Sequence, residues 1–157
     1  MDDNRTARLT ILNSAEEIGR ALRCVEAFCE QHALGDRVVS GLCVPLDELL
    51  SNTISYGYEH DEPHAIDIAL QLEESWVSVC ITDDARPFDP TDPNAVRVRD
   101  TSSAAGLPAG GLGLHFVRHL ADGLTYVRED GRNKTTVMKS IDRSSRNGPR
   151  DRVSASR

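Results

Sequence analysis

Leu46–Tyr58, LDELLSNTISYGY, decides how the rest of the chain is read. As a helix it stacks Glu48, Asn52 and Tyr56 on one face at intervals of four residues. Leu46, Leu49, Leu50 and Ile54 on the same segment call for packing against a core. A polar row on a helix otherwise so apolar lines either solvent or a cleft, and the segment alone does not choose between them.

Working outward, the upstream chain extends this helix back through Pro45 to about Asp36, with Asp36 able to cap it. Proline removes one backbone bond and crowds the carbonyl four residues earlier, here that of Gly41, so a kink is expected near Val44. Before it, Ser14 and Glu17 have the S-x-x-E spacing of a capping box. Ile18, Leu22, Val25 and Cys29 then recur at helical spacing to about His32. Arg8–Leu12 alternates weakly and suits an opening strand.

Downstream, Ala65–Leu72 and Trp76–Thr82 alternate on either side of Glu73-Glu74-Ser75, the pattern of an antiparallel hairpin. The second strand runs into DDARPFDP. Residues 89–109 are aperiodic and rich in Pro, Ser, Thr and Asp; a loop this long in a compact domain suits a lid or a disordered segment. Gly110-Gly111-Leu112-Gly113 closes it, and LHFVRHLAD begins a third helix. Leu124–Arg128, a turn over 129–133 and Thr135–Ile141 make a closing hairpin. The order strand, helix, helix, hairpin, helix, hairpin predicts an α+β two-layer sandwich.

The chain has 157 residues, one domain's worth, and a net charge of −7. Residues 142–157 form an Arg- and Ser-rich tail with a net +3, so the domain over 1–141 carries −10. So acidic a body is a poor partner for a phosphate backbone, and no direct nucleic-acid binding is expected. Cys24, Cys29, Cys43 and Cys80 show no metal-ligand spacing and sit in apolar runs, as reduced core residues do. The N-terminus lacks a signal peptide's pattern, and no apolar run approaches the ~18 residues of a membrane span. No membrane association and a cytoplasmic location are expected.

Three elements bear chemistry. Glycines let a backbone approach a ligand, and the helix after them offers N–H groups to an anion; no Lys-Ser or Lys-Thr follows, so this is not a Walker loop. Asp83 ends an apolar strand, where a nucleobase amino group would satisfy a carboxylate that is costly to bury alone; a turn-forming Asp is the plainer alternative. Asn52 could give a carbonyl oxygen to a cation, and Glu48 could orient or deprotonate a nucleophile. His115 and His119 lack the Glu of H-E-x-x-H, and Ser51 lies outside any G-x-S-x-G context.

Taken in order, these elements resemble the GHKL ATPases, the group of gyrase, histidine kinases, heat-shock chaperones and mismatch-repair proteins. Glu48-x-x-x-Asn52 resembles their N box, Asp83-Asp84-Ala85 their D-x-G box and GGLGL from Gly110 their G-x-G box. Within the group the chain is most similar to the anti-sigma-factor serine kinases of bacterial partner-switching systems. Tyr56-Gly57-Tyr58, Arg86–Pro90 (RPFDP), Tyr126, Gly131, Asn133 and Thr135-Thr136 support that likeness, which spans roughly residues 8–141.

The resemblance implies a Bergerat fold: a mixed, mainly antiparallel sheet with helices on one face. It implies ATP bound by Asp83 at the adenine amino group, with Thr136, Ala85 and Phe88 nearby. Gly110, Gly111, Leu112, Gly113 and Leu114 would surround the phosphates, Asn52 would hold Mg2+, and Glu48 would be the catalytic base. Residues 89–109 would be the ATP lid. Partners implied are a STAS-domain antagonist whose serine or threonine is phosphorylated, a sigma factor or other output protein, and a second copy in a homodimer.

One residue departs from the pattern. Ala85 stands where the D-x-G box has glycine, and if that position needs positive φ or closeness to the base, the methyl costs about 1 kcal/mol. A binding module without kinase activity is therefore the alternative. A histidine-kinase catalytic domain acting in trans, or an α+β protein that binds some other small molecule, rank below it.

Overall fold

Residues 66, 68 and 70 on one strand and 77, 79 and 81 on the next are buried Ile, Leu or Val, while their neighbours are not. This period of two is what a sheet with one covered face requires. In the computed structural model, which describes residues 3–95 and 111–141, it organises five strands: β1 (Thr6–Leu12), β2 (Ala65–Leu72), β3 (Trp76–Asp83), β4 (Gly123–Glu129) and β5 (Arg132–Ser140). Their order across the sheet is β1-β2-β3-β5-β4. Every pairing among the described residues is antiparallel, so the expected mixed sheet carries no parallel pair here.

Three helices, α1 (Ala15–Gln31), α2 (Asp36–Tyr56) and α3 (Gly111–Leu120), complete the α+β sandwich. The buried faces of α1 (Ala21, Val25, Phe28, Cys29) and α2 (Val38, Leu42, Leu46, Leu49, Leu50) meet the inner sheet residues in one core. Leu114 and Val117 bring α3 into it. The opposite sheet face carries Arg8, Thr10, Asp67, Ser78, Thr82 and Lys134, and stays open.

Helix α2 is unbroken from Asp36 to Tyr56, with Pro45 buried inside it. The helix starts differently from expectation at both α1 and α2. Ser14 is the N-cap of α1, but its side chain makes no capping bond; Glu17 binds Arg20 and the Leu12 N–H instead. Asp36 lies in the first turn of α2, after the N-cap Gly35. The turn between β4 and β5 is tighter than expected: Asp130 (φ 51°) and Gly131 (φ 75°) alone join the two strands. Two consecutive positive φ values are the demand of a type I′ hairpin, which Asp-Gly satisfies. Residues 132–133, expected in the turn, therefore belong to β5. The tail over 142–157 and most of the expected lid, 96–109, lie outside the described residues.

Candidate functional site

β3 ends in Asp83, which pairs directly with Asn133 on β5, and Asn133 pairs in turn with Arg128 on β4. Asp83, Asn133 and Thr135 are buried on the helix-covered face and, with Ile81, floor a cleft. Leu49, Asn52 and Thr53 of α2 form one wall; Ala85, Arg86, Phe88 and Pro90 of the following loop form the other. The cleft has about 360 Å³ of space between atoms, its open mouth included, and a narrow floor.

The polar groups at the floor are tied to one another. Asp83 Oδ1 accepts the Ala85 N–H at 3.0 Å and Asn133 Nδ2 at 2.8 Å. Beside them Tyr58 stacks on His64, with ring centroids 4.6 Å apart, and His64 Nδ1 meets Asp84 Oδ2 at 2.9 Å. Burial first, then the Asp83 and Asp84 carboxylates, push the Tyr58 phenol well above its usual range, so it stays protonated. Burial opposes the Asp84 charge, but the His64 hydrogen bond and charge outweigh it and hold that carboxyl below the usual range.

One turn up α2 from Asn52 lies Glu48, with Asn52 Nδ2 donating to Glu48 Oε1 at 3.5 Å. Glu48 also rests against the first turn of α3. A methyl group on Gly113 would fall 1.6 Å from Glu48 Oε1 and 2.0 Å from its Cδ, so the bare Cα of Gly113 is what admits the carboxylate. Two of the expected motifs thus meet in a single contact, at a helix end whose N–H groups favour negative charge. Arg118, further along α3, donates to the Pro90 and Asp92 carbonyls at 2.7–3.1 Å and fixes the start of the 89–109 segment.

Of the residues expected from sequence, Asn52, Asp83, Ala85 and Phe88 line the cleft together. Glu48 and Gly113 lie beside it, in contact with each other. Leu114 turns its side chain into the core, so only its backbone could face a ligand. Gly111 and Leu112 open α3, while Gly110 lies outside the described residues. Thr136 is a correction. It alternates outward with Lys134 and lines the open face of the sheet, whereas Thr135 faces the cleft. Sequence reasoning missed Asn133 as a site residue by placing it in the turn; the Asp-Gly signal, taken literally, would have started β5 in time to include it. It also missed His64, which no local pattern marks, and the role of Gly57, which it read only as part of the Tyr56-Gly57-Tyr58 likeness.

Ala85 is accommodated. Its φ is not positive, and its methyl lies against the Cα of Gly57, where a second methyl would come within 2.7 Å. The side chain missing at Gly57 makes room for the one present at Ala85.

Residues 11–139 match the family described as the histidine kinase-like ATPase domain. The chain belongs to that family. It is similar to the serine/threonine-protein kinase BtrW of Bordetella bronchiseptica, 29% identical over 137 residues, which cover 85% of this chain and 93% of that protein. The crystal structure of the RsbU and RsbW domains of Rv1364c from Mycobacterium tuberculosis shares the fold, with a TM-score of 0.63 and 12% identity over 87% of this chain. This chain spans about a third, 32%, of that one. Family and fold agree on a histidine kinase-like ATPase domain. No helix among the described residues is long and apolar enough to cross a membrane.

Proposed function

We propose that this protein binds ATP with Mg2+ in the cleft between α2 and the sheet and transfers phosphate to a serine or threonine of a STAS-domain partner. The observation that carries this reading is the joining of three separate motifs at one place: Asp83 on the cleft floor, Asn52 on its wall, and Glu48 against Gly113. The kinase name of the relative BtrW supports the reaction class.

Asp83 accepts a hydrogen bond from the base, its carboxylate already oriented through Oδ1. The donor set suits magnesium, because Asn52 brings one hard oxygen and no group of three His, Cys, Asp or Glu among the described residues forms a cage. Such an ion is held largely by phosphate oxygens and water, and when bound it neutralises charge developing on the transferred phosphoryl group. Glu48, at the entrance between α2 and α3, accepts the proton of the attacking hydroxyl. The first-turn N–H groups of α3 face the phosphates. Base entry parts Phe88 and Pro90 from Leu49 and Thr53, since the floor as it stands is narrow.

The family likeness also supports sequestration of a sigma factor or other output protein, and a cytoplasmic homodimer. Incubation with Mg-ATP and a STAS-domain partner should yield a phosphoprotein. Glu48→Ala should abolish it; transfer that survives this change removes Glu48 as the base. A binding module without transferase activity is the second reading: Ala85 needs no positive φ, but its methyl lines the cleft where the base would sit.

A further inference from the structure

Asn133 is 4% exposed, and its side chain makes five contacts of hydrogen-bond length. Oδ1 accepts from the Tyr126 hydroxyl at 2.6 Å and from Arg128 Nη1 at 2.7 Å. Nδ2 reaches Asp83 Oδ1 at 2.8 Å, the Arg86 carbonyl at 3.0 Å and the Ala85 carbonyl at 3.1 Å. The two ends of an amide are told apart by their partners. Arg128 can only donate and backbone carbonyls can only accept, so the oxygen must face Arg128 and the nitrogen must face Asp83. Arg128 Nη1 also reaches the Ala85 carbonyl at 3.2 Å. The row Arg128–Asn133–Asp83 thus braces the end of β3 and the start of its loop from β4.

The bonds from Asn133 and from the Ala85 N–H both land on Oδ1 of Asp83. Two donors on one oxygen fix the plane of the carboxylate and so settle where Oδ2 lies. A carboxylate held in this way accepts from a base that presents an amino group. It cannot turn to suit a base that presents a carbonyl oxygen there.

We propose that Asn133 is a positioning residue for base selection, holding Asp83 so that an adenine nucleotide is favoured over a guanine nucleotide. The proposal rests on the nucleotide reading above and adds a residue to it. Asn133→Asp keeps the shape and the bonds to Tyr126 and Arg128, but turns an acceptor toward Asp83 and the two carbonyls. Tyr126→Phe is milder and removes one bond that orients the amide.

Dissociation constants for Mg-ATP and Mg-GTP would be measured by calorimetry on the full chain and both variants, with thermal melts alongside. Asn133→Asp should weaken ATP roughly tenfold or more, the scale of a hydrogen bond to a charged group, and narrow the preference over GTP. Tyr126→Phe should shift the preference the same way by about two- to threefold. An unchanged ATP-to-GTP ratio in folded variants would overturn the proposal, because simple loosening weakens both nucleotides alike. If Asn133→Asp does not fold, Tyr126→Phe decides alone. A wild-type protein that binds no ATP sinks the nucleotide reading and this inference together; normal wild-type binding with unaltered variants sinks the inference only.

Discussion

Ala85 shows how a residue that breaks a motif can be explained only in three dimensions. Its methyl fits because Gly57, 28 positions earlier, has none, and the Arg86 N–H bond to the Gly57 carbonyl at 2.9 Å holds the two segments together. Restoring glycine should therefore not improve the site. Ala85→Gly is expected to cost roughly 1 kcal/mol in urea unfolding, from lost contact and added unfolded-state freedom, with ATP affinity unchanged; tighter ATP binding would show that the methyl does obstruct the base. Gly113 is the opposite case. Gly113→Ala places a methyl where the Glu48 carboxylate lies, so transfer should fall by about a hundredfold through misplacement of the base, with a smaller change in KM for ATP. A larger effect on KM than on kcat would assign Gly113 to the phosphates instead. Residue type and spacing made Glu48, Asn52 and Asp83 candidates, and only the resemblance gave them roles. The choice between Thr135 and Thr136 was not, because β5 puts Val137 and Met138 on opposite faces and its pattern fits either register.

At the scale of elements, α2 carries Glu48 and Asn52 and α3 lies against Glu48, so what fixes α3 matters. Lys139, 6% exposed on β5, donates to the Leu120 carbonyl at the end of α3 at 2.7 Å and lies 3.5 Å from Asp122. Its stem lies against Gly41 of α2, where a methyl would come within 2.6 Å of it. Asp122 accepts the Ser140 N–H and hydroxyl at 2.8 and 2.9 Å. The Ser140 N–H first, opposed by burial and reinforced by the Ser140 hydroxyl and Lys139, lowers the Asp122 carboxyl below its usual value. A lowered carboxyl stabilises the fold above about pH 4, its unfolded value, and that share is lost as pH falls through the folded value. Asp122→Asn should lower thermal stability at pH 7 and flatten its decline below pH 4. A decline of unchanged slope would remove this joint as an acid-sensitive contact. None of this was read from sequence, because a Lys at an alternating strand position looks solvent-facing until a glycine on a distant helix gives its stem somewhere to lie.

For the whole molecule, hydrophobic periodicity was enough to give three helices, two hairpins and a layer of helices on one side of a sheet. The boundaries moved where backbone chemistry, not side-chain pattern, decides them: the Asp130–Gly131 turn shortened a loop, and Gly111 opened α3 ahead of Leu114. The fold brings residues 83 and 133, from two strands, to the floor of the cleft and residues 48 and 113, from two helices, into contact beside it, which no local window of sequence can show. The account stands on that convergence being a nucleotide site. Titrating Mg-ATP into the wild-type protein and Asp83→Asn by calorimetry tests it most directly. Wild type should bind one ATP per chain, and Asp83→Asn should bind it at least about tenfold more weakly, having exchanged a charged acceptor for a neutral amide. No binding by wild type, or equal binding by both, would contradict it.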